Sequence, residues 1–118
     1  MAIPIEMLTR PADFATLQRD GSGRADRYLS VRLVRNGLDR TRFGFSTSRK
    51  LGTAVVRNRV RRRLRVIVRG ATPRLDHGWD VLVVARPTCA GASYQELAGS
   101  IERLFGRAGV LRNQDGTS

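Results

Sequence analysis

The stretch Val55–Arg69, VVRNRVRRRLRVIVR, limits most strongly how this chain can fold. It holds seven arginines in fifteen residues and still places an aliphatic side chain at nearly every helical turn. Val56, Val60, Leu64 and Ile67 or Val68 recur at the spacing of one helix face, while Arg57, Arg61, Arg62, Arg65 and Arg69 take the flanks and the outward side. Gly52 and Thr53 supply a break and an N-cap, so the spacing predicts a helix over residues 54–69, pinned to a core on one side and cationic on the other. Solvated helices normally mix signs through acid and base pairs four residues apart, and like charges at that spacing cost a few tenths of a kcal/mol each. A helix with seven arginines and no acid accepts that repulsion, which argues for a polyanion outside the chain that relieves it.

The formal charge of +12 is concentrated around this helix: residues 40–75 hold twelve basic side chains and no acidic one, and the remainder balances ten against ten. Each phosphate neutralised by such a cluster releases condensed counterions and so drives association. Of the 22 basic residues 21 are arginine, and coding bias accounts for arginine over lysine but not for the missing acids. A membrane surface is the poorer partner, because an interfacial helix exposes bulky Trp, Phe or Leu and this apolar face is mostly Val, needed for the core. The chain has no run of about 18 apolar residues, and MAIPIEMLTR lacks a basic n-region and a sustained apolar h-region. A cytoplasmic protein is therefore expected. Cys89, the single cysteine, can form neither an internal disulfide nor a CxxC half-site. The 118 residues fit one domain over 1–118, with an ordered core over about 8–108 and a frayed tail over 109–118.

The segments around the basic helix predict the order α-β-β-α-β-α. TRPADFATLQRDG has Pro11 at a helix start, Asp13 in the first turn, Phe14 and Leu17 three apart, and Gly21 as a stop. From Arg27, RYLSVRLV alternates, with Leu29, Val31 and Leu33 on one side and Tyr28, Ser30 and Arg32 on the other, the latter facing water or a ligand. NGLD is a turn signal and RTRFGFSTS a second strand, so a hairpin is the economical reading. Gly44 in that strand marks a bulge or a close backbone approach. WDVLVVARP is an apolar, β-branched run of the kind found in central strands. In SYQELAGSIERLF, Ser93 and Glu96 make a capping box, and Leu97, Ile101 and Leu104 share a face. The fold class expected is α/β, a two-layer sandwich of a mixed sheet packed with helices.

Side-chain catalysis would need a nucleophile with a base, a pair of placed carboxylates, or metal ligands. His77 is the sole histidine and lies in the turn-like LDHGWD, where a solvent-exposed loop residue is the better reading; Asp76 and Asp80 beside it make a weak metal signal. No catalytic residue and no metal site are assigned. Duplex DNA lacks support from a helix-turn-helix, zinc or basic-zipper pattern. RNA fits better, since arginine pairs with phosphates while Phe14, Tyr28, Ser30 and Arg32 offer stacking and hydrogen bonding to unpaired nucleotides. Taken alone, Phe14 reads more readily as a core residue of its helix.

The segment RFGFSTSRKLGTAVVRNRVRRRLR closely resembles the signature of the bacterial ribonuclease P protein component, whose helix carries an Arg-Asn-Arg motif, here Arg57, Asn58 and Arg59. LTRPADF is similar to the family's opening, and WDVLVVARP to its strand ending in Ala-Arg-Pro. The resemblance implies a protein subunit of ribonuclease P, which removes the 5′ leader of precursor tRNA. The catalytic RNA performs the hydrolysis with Mg2+, and the protein acts as a monomer when free and one copy per RNA. It implies a ribosomal protein S5 domain 2-like fold with a left-handed strand-helix-strand crossover, against the usual right-handed rule. By the same resemblance Arg49, Lys50, Arg57, Asn58, Arg59, Arg61, Arg62 and Arg65 meet the catalytic RNA; Phe14, Ser30 and Arg32 line a cleft for the single-stranded leader, with Tyr28 and Arg86 near it. Two positions depart from the family pattern: Gln18 stands where a second aromatic is frequent, and Arg32 where an aromatic is common. Leader binding here is then expected to lean on charge and hydrogen bonds. The alternative of another class is a non-catalytic, ribosomal-type structural RNA-binding protein, and a third reading is a DNA-binding module.

Overall fold

The computed structural model describes residues 5–111, which form one five-stranded mixed sheet and three α-helices. In chain order these are β1 (Glu6–Met7), α1 (Pro11–Asp20), β2 (Ser22–Ala25), β3 (Leu29–Arg35), β4 (Arg42–Thr47), α2 (Ala54–Ala71), β5 (Trp79–Ala85) and α3 (Tyr94–Ala108). Pro11 opens α1 because its missing N–H is an orphan there in any case. Thr53 caps α2 by accepting from the Val56 N–H at 3.3 Å. The reciprocal Ser93–Glu96 capping box starts α3, and Gly109 ends it in the left-handed conformation at φ 76°.

The strand order is β1-β4-β5-β3-β2, with β5 parallel to β4 and antiparallel to β3. The hairpin expected between residues 27–34 and 40–48 therefore does not form, because β5 lies between the two strands. Residues 36–41 step over its first residues: the Asn36 N–H donates to Gly78 O at 2.9 Å, and the Gly78 N–H to Arg40 O at 3.3 Å. Six residues reach easily across two strand spacings of about 4.8 Å each. Two strands went unforeseen. β1 has only two residues, and β2, Ser-Gly-Arg-Ala, is exposed throughout and offers no apolar alternation.

One face of the sheet carries Leu29, Val31, Leu33, Phe43, Val81, Val83 and Ala85 into the main core, where α2 contributes Val60, Leu64, Ile67 and Val68 and α3 contributes Leu97, Ile101, Leu104 and Phe105. Phe43 stacks between Phe45 and Phe105, with centroids 6.5 and 6.4 Å away. The α2 stripe is the one its spacing predicts. The opposite face is covered only in part, by α1, whose Leu17 packs with Leu8 and Leu82 and is joined by Phe14, Val34 and Val84. The expected α/β fold with a mixed sheet is thus realised as a complete helical layer on one side and a single helix on the other.

The fraying expected from residue 109 does not apply to its first residues: Val110 is buried and Leu111 pairs with Leu75 as an isolated bridge. The rest of that tail lies outside the described residues.

Candidate nucleic-acid interface

The twelve basic residues of 40–75 divide into two groups once their neighbours are known. Arg42 forms a fork on Asp80, from Nε at 2.8 Å and Nη2 at 2.7 Å, with Asp13 at 3.5 Å on its other side. The hydrogen bonds it donates to Asp80 hold the Arg42 guanidinium pKa above the ordinary value, against the effect of burial. Arg40 pairs with Glu6 and Arg74 with Glu102. The other nine, Arg49, Lys50, Arg57, Arg59, Arg61, Arg62, Arg63, Arg65 and Arg69, have no carboxylate partner among the described residues. Seven of them lie on α2, where no acidic side chain screens them.

Their order around the helix follows from its period. Arg57 and Arg61 flank the buried stripe on one side, Arg59 and Arg63 on the other, and Asn58, Arg62, Arg65 and Arg69 point out, with Val55 and Val66 exposed among them. Arg57 Nε and Arg59 Nε are buried without a hydrogen-bond partner, so the stems of the motif's two arginines pack against the protein and leave donors unmet. Arg61 is held at both ends: Nη2 donates to Thr47 Oγ1 at 2.6 Å and Nη1 to Asn58 Oδ1 at 2.9 Å. Arg49 and Lys50, in the 3-10 turn Arg49–Leu51 that leads into α2, are exposed and extend the charge.

On the partly covered face, strand register produces three rows. Arg42, Asp80 and Val34 lie abreast; next come Gly44, Leu82, Arg32 and Gly23; last come Ser46, Val84, Ser30 and Ala25. α1 sits over the first two rows. The third row, of small side chains across four strands, is left partly open, with Ser46 and Ala25 exposed and Ser30 and Val84 half-buried. It forms a shallow trough beside α1, where Phe14 and Val84 pack against the Leu17 cluster. Phe14 is half-buried, with its ring set down on Gly44: a Cβ there would lie 2.8 Å from Phe14 Cε1. Gly44 is thus a close backbone approach and not a bulge, since the β4–β5 register runs through it unbroken.

Of the residues expected at the leader cleft, Phe14 and Ser30 border this trough and Tyr28 does not. Tyr28 leaves the strand alternation before β3 begins, is buried in the main core, and donates its hydroxyl proton to Glu96 at 2.5 Å. That bond raises the Tyr28 pKa; Glu96 is lowered chiefly by the Ser93 N–H and then by Tyr28. Arg32 lies in the middle row with its guanidinium directed at the end of α1, donating to Leu17 O at 2.9 Å, Gly21 O at 2.6 Å and Gln18 O at 3.2 Å. Of these, Gln18 O is a carbonyl that a helix end leaves orphaned, while Leu17 O also accepts the Gly21 N–H, and the Arg32 charge complements the helix dipole. Arg86 is exposed at the trough's far end, its Nη1 donating to Asp26 O at 2.9 Å.

Sequence reasoning missed Ser46, Val84 and Ala25 of the trough floor, and Thr47; Arg63 and Arg69 it counted in the basic helix but did not include among the residues meeting the catalytic RNA. No residue type marks the first four; only the register and the α2–sheet contact bring them into place. His77 is exposed in its loop, as expected.

The ribonuclease P family matches this chain over residues 5–109. The chain is 42% identical over 113 residues to the ribonuclease P protein component of Acidothermus cellulolyticus, covering 94% of each. It is 39% identical over 102 residues to that of Symbiobacterium thermophilum, covering 86% of this chain and 89% of the relative. Among solved structures, it superposes on the RNase P protein of Staphylococcus aureus with a TM-score of 0.83 at 28% identity, over 90% of this chain and 97% of that one. For the RNase P protein of Thermotoga maritima the TM-score is 0.79 at 26% identity, over 86% and 96%.

Proposed function

The chain belongs to the ribonuclease P protein family, the protein subunit of the ribonucleoprotein endonuclease that matures the 5′ end of tRNA, and from that premise we propose that it works through two adjoining surfaces. The cationic face of α2, with Arg49 and Lys50, docks on the catalytic RNA. The trough between α1 and the C-terminal ends of β4 and β5 holds the single-stranded 5′ leader of precursor tRNA.

The observation that carries this reading is the separation of paired from unpaired arginines. Arg40, Arg42 and Arg74 are neutralised within the fold, whereas nine basic residues on and beside α2 have no counter-charge among the described residues. Phosphates supply that counter-charge, and the counterions they release supply the driving force. In the trough Phe14 gives one face for base stacking, Ser30 and Ser46 give hydroxyls, and Arg86 gives a cation. Arg32 acts at one remove, by fixing the end of the helix that carries Phe14.

Mg2+ is assigned to the RNA. Six of the nine carboxylates among the described residues are engaged inside the protein: Asp13 and Asp80 by Arg42, Asp26 by Ser100 and Arg103, Glu6 by Arg40, Glu102 by Arg74, and Glu96 by Ser93 and Tyr28. None of these groups forms a cluster suited to a metal ion. One protein per catalytic RNA is the stoichiometry that a single docking helix suits. The site of action is the cytoplasm, where precursor tRNA is made; no helix among the described residues is long and apolar enough to cross a membrane.

The test is a pair of charge-removing variants assayed on the reconstituted holoenzyme. Arg62→Ala with Arg65→Ala should weaken binding to the catalytic RNA and leave leader discrimination intact once assembly is saturated. Ser30→Ala with Arg86→Ala should do the reverse. Loss of both properties in both variants would contradict a division into two surfaces.

A further inference from the structure

Among the described residues, Arg61 alone of the seven α2 arginines makes side-chain hydrogen bonds. The Asn58 carbonyl holds Nη1 from one turn earlier in the helix, and the Thr47 hydroxyl oxygen holds Nη2 from the last residue of β4. A guanidinium carries five N–H donors, so three remain for a phosphate. The other α2 arginines must give up side-chain freedom on docking, whereas Arg61 is already fixed.

Thr47 is suited to this task by its place. It follows Ser46, which faces the trough, so its own side chain points to the α2 face, and it pairs with Ala85 of the central strand. Being β-branched, it has few χ1 choices, and the hydroxyl is presented from a rigid base. We propose that Thr47 is a positioning residue that aims the Arg61 guanidinium at the catalytic RNA, an inference that rests on the docking role given to α2. Within the same chain, Asn58 acts on RNA through Arg61 as well as from its own exposed position. The consecutive pair Ser46–Thr47 then joins the two surfaces, one residue flooring the leader trough and the next setting the docking helix.

The experiment compares Thr47→Val, Thr47→Ser, Arg61→Ala and the double variant Thr47→Val/Arg61→Ala as full chains. It reads affinity for the catalytic RNA across a salt series, with thermal melts alongside. Valine keeps the shape and favours a strand, so the fold should hold. Thr47→Val should weaken binding about 10-fold, in line with a hydrogen bond to a charged group, at an unchanged salt slope because the Arg61 charge remains. Thr47→Ser should stay within about 2-fold. Arg61→Ala should weaken binding and shallow the slope by about 0.7 to 0.9. Adding Thr47→Val to Arg61→Ala should change nothing further. Wild-type affinity for Thr47→Val, or the same loss in the Arg61→Ala background, would overturn the positioning role and leave the docking reading standing. An Arg61→Ala variant with wild-type affinity and slope would remove Arg61 from the RNA interface and Thr47 with it.

Discussion

The ring of Phe14 rests on the backbone of Gly44, so closely that a Cβ at Gly44 would lie 2.8 Å from Phe14 Cε1 and 3.2 Å from Cζ. α1 touches the sheet at this point, and the contact fixes how far the Phe14 ring stands from the open third row. Gly44→Ala is accordingly expected to push Phe14 and α1 outward, at a stability cost of about 1 to 3 kcal/mol, the range for overpacking. Denaturant melts measure that cost, and a weaker preference for leader-bearing over leaderless tRNA measures the displacement. An unchanged melt would mean that α1 shifts freely and does not fix the trough.

Phe14→Ala should lower holoenzyme affinity for precursor tRNA by about 1 to 3 kcal/mol, the worth of one base stacked on an aromatic ring. Affinity for leaderless tRNA should hold. The ring is only half-buried, so the fold should survive its loss. Equal loss for both tRNAs would place Phe14 among the core residues alone.

Arg42 and Arg59 are both arginines of the basic segment, and they should behave oppositely. Arg42→Ala leaves Asp80, whose side chain is 5% exposed, without its cation, and removing one partner of a buried pair costs about 3 to 5 kcal/mol. The salt slope of RNA binding should not move, provided the variant is assayed where it is folded. Arg59→Ala should cost little stability and reduce the log-log salt slope by about 0.7 to 0.9, one phosphate contact. Exchange of these two outcomes would refute the division into paired and unpaired arginines.

Asp26 gives the fold a dependence on acid. Burial acts to raise its pKa, but hydrogen bonds from Ser100, from the Leu29 and Tyr28 N–H groups and from Arg103 outweigh it and bring the value to about 2, against 3.8 unperturbed. A carboxyl depressed in the folded state stabilises it fully above the unfolded value and ceases to do so as pH falls through the folded one. The contribution is about 2 kcal/mol. Asp26→Asn should therefore be less stable than the parent by about that much at neutral pH, and the gap should narrow below about pH 4 and close near pH 2. Denaturant melts of the two proteins across that window check it; a gap constant down to pH 2 would show that the Asp26 charge is not the stabilising feature.

How much of this was legible in the sequence differs from element to element, for physical reasons. The α2 stripe and the Ser93–Glu96 box are local patterns: the structure repeats the box and buries Val60, Leu64, Ile67 and Val68 of the stripe, with Val56 only partly buried and Ala71 added at the far end. Strand adjacency is not local: the turn signal at Asn36–Asp39 looks the same whether the chain folds back beside β3 or steps over a strand that comes 40 residues later. β2 has no apolar side chain larger than alanine, and its pairing with β3 is a backbone matter. At the candidate site, residue type pointed to Phe14, Ser30 and the α2 arginines. Ser46, Val84 and Ala25 needed the register. Tyr28 was misplaced because alternation was extended one residue past the end of the strand. Arg42 was counted as free cation because its partner Asp80 is 38 residues away.

Leader-dependent rescue tests the two surfaces together. The protein is added to a bacterial catalytic RNA at low magnesium, and cleavage is followed for precursor tRNA with a leader of several nucleotides and with a leader cut to one. The two-surface account predicts that the protein restores cleavage of the long-leader substrate well above that of the short one, and that Phe14→Ala removes the difference while Arg59→Ala lowers both together. Tight binding of the catalytic RNA with equal rescue, or none, for the two substrates would contradict it, leaving a general RNA-binding protein whose trough holds no leader.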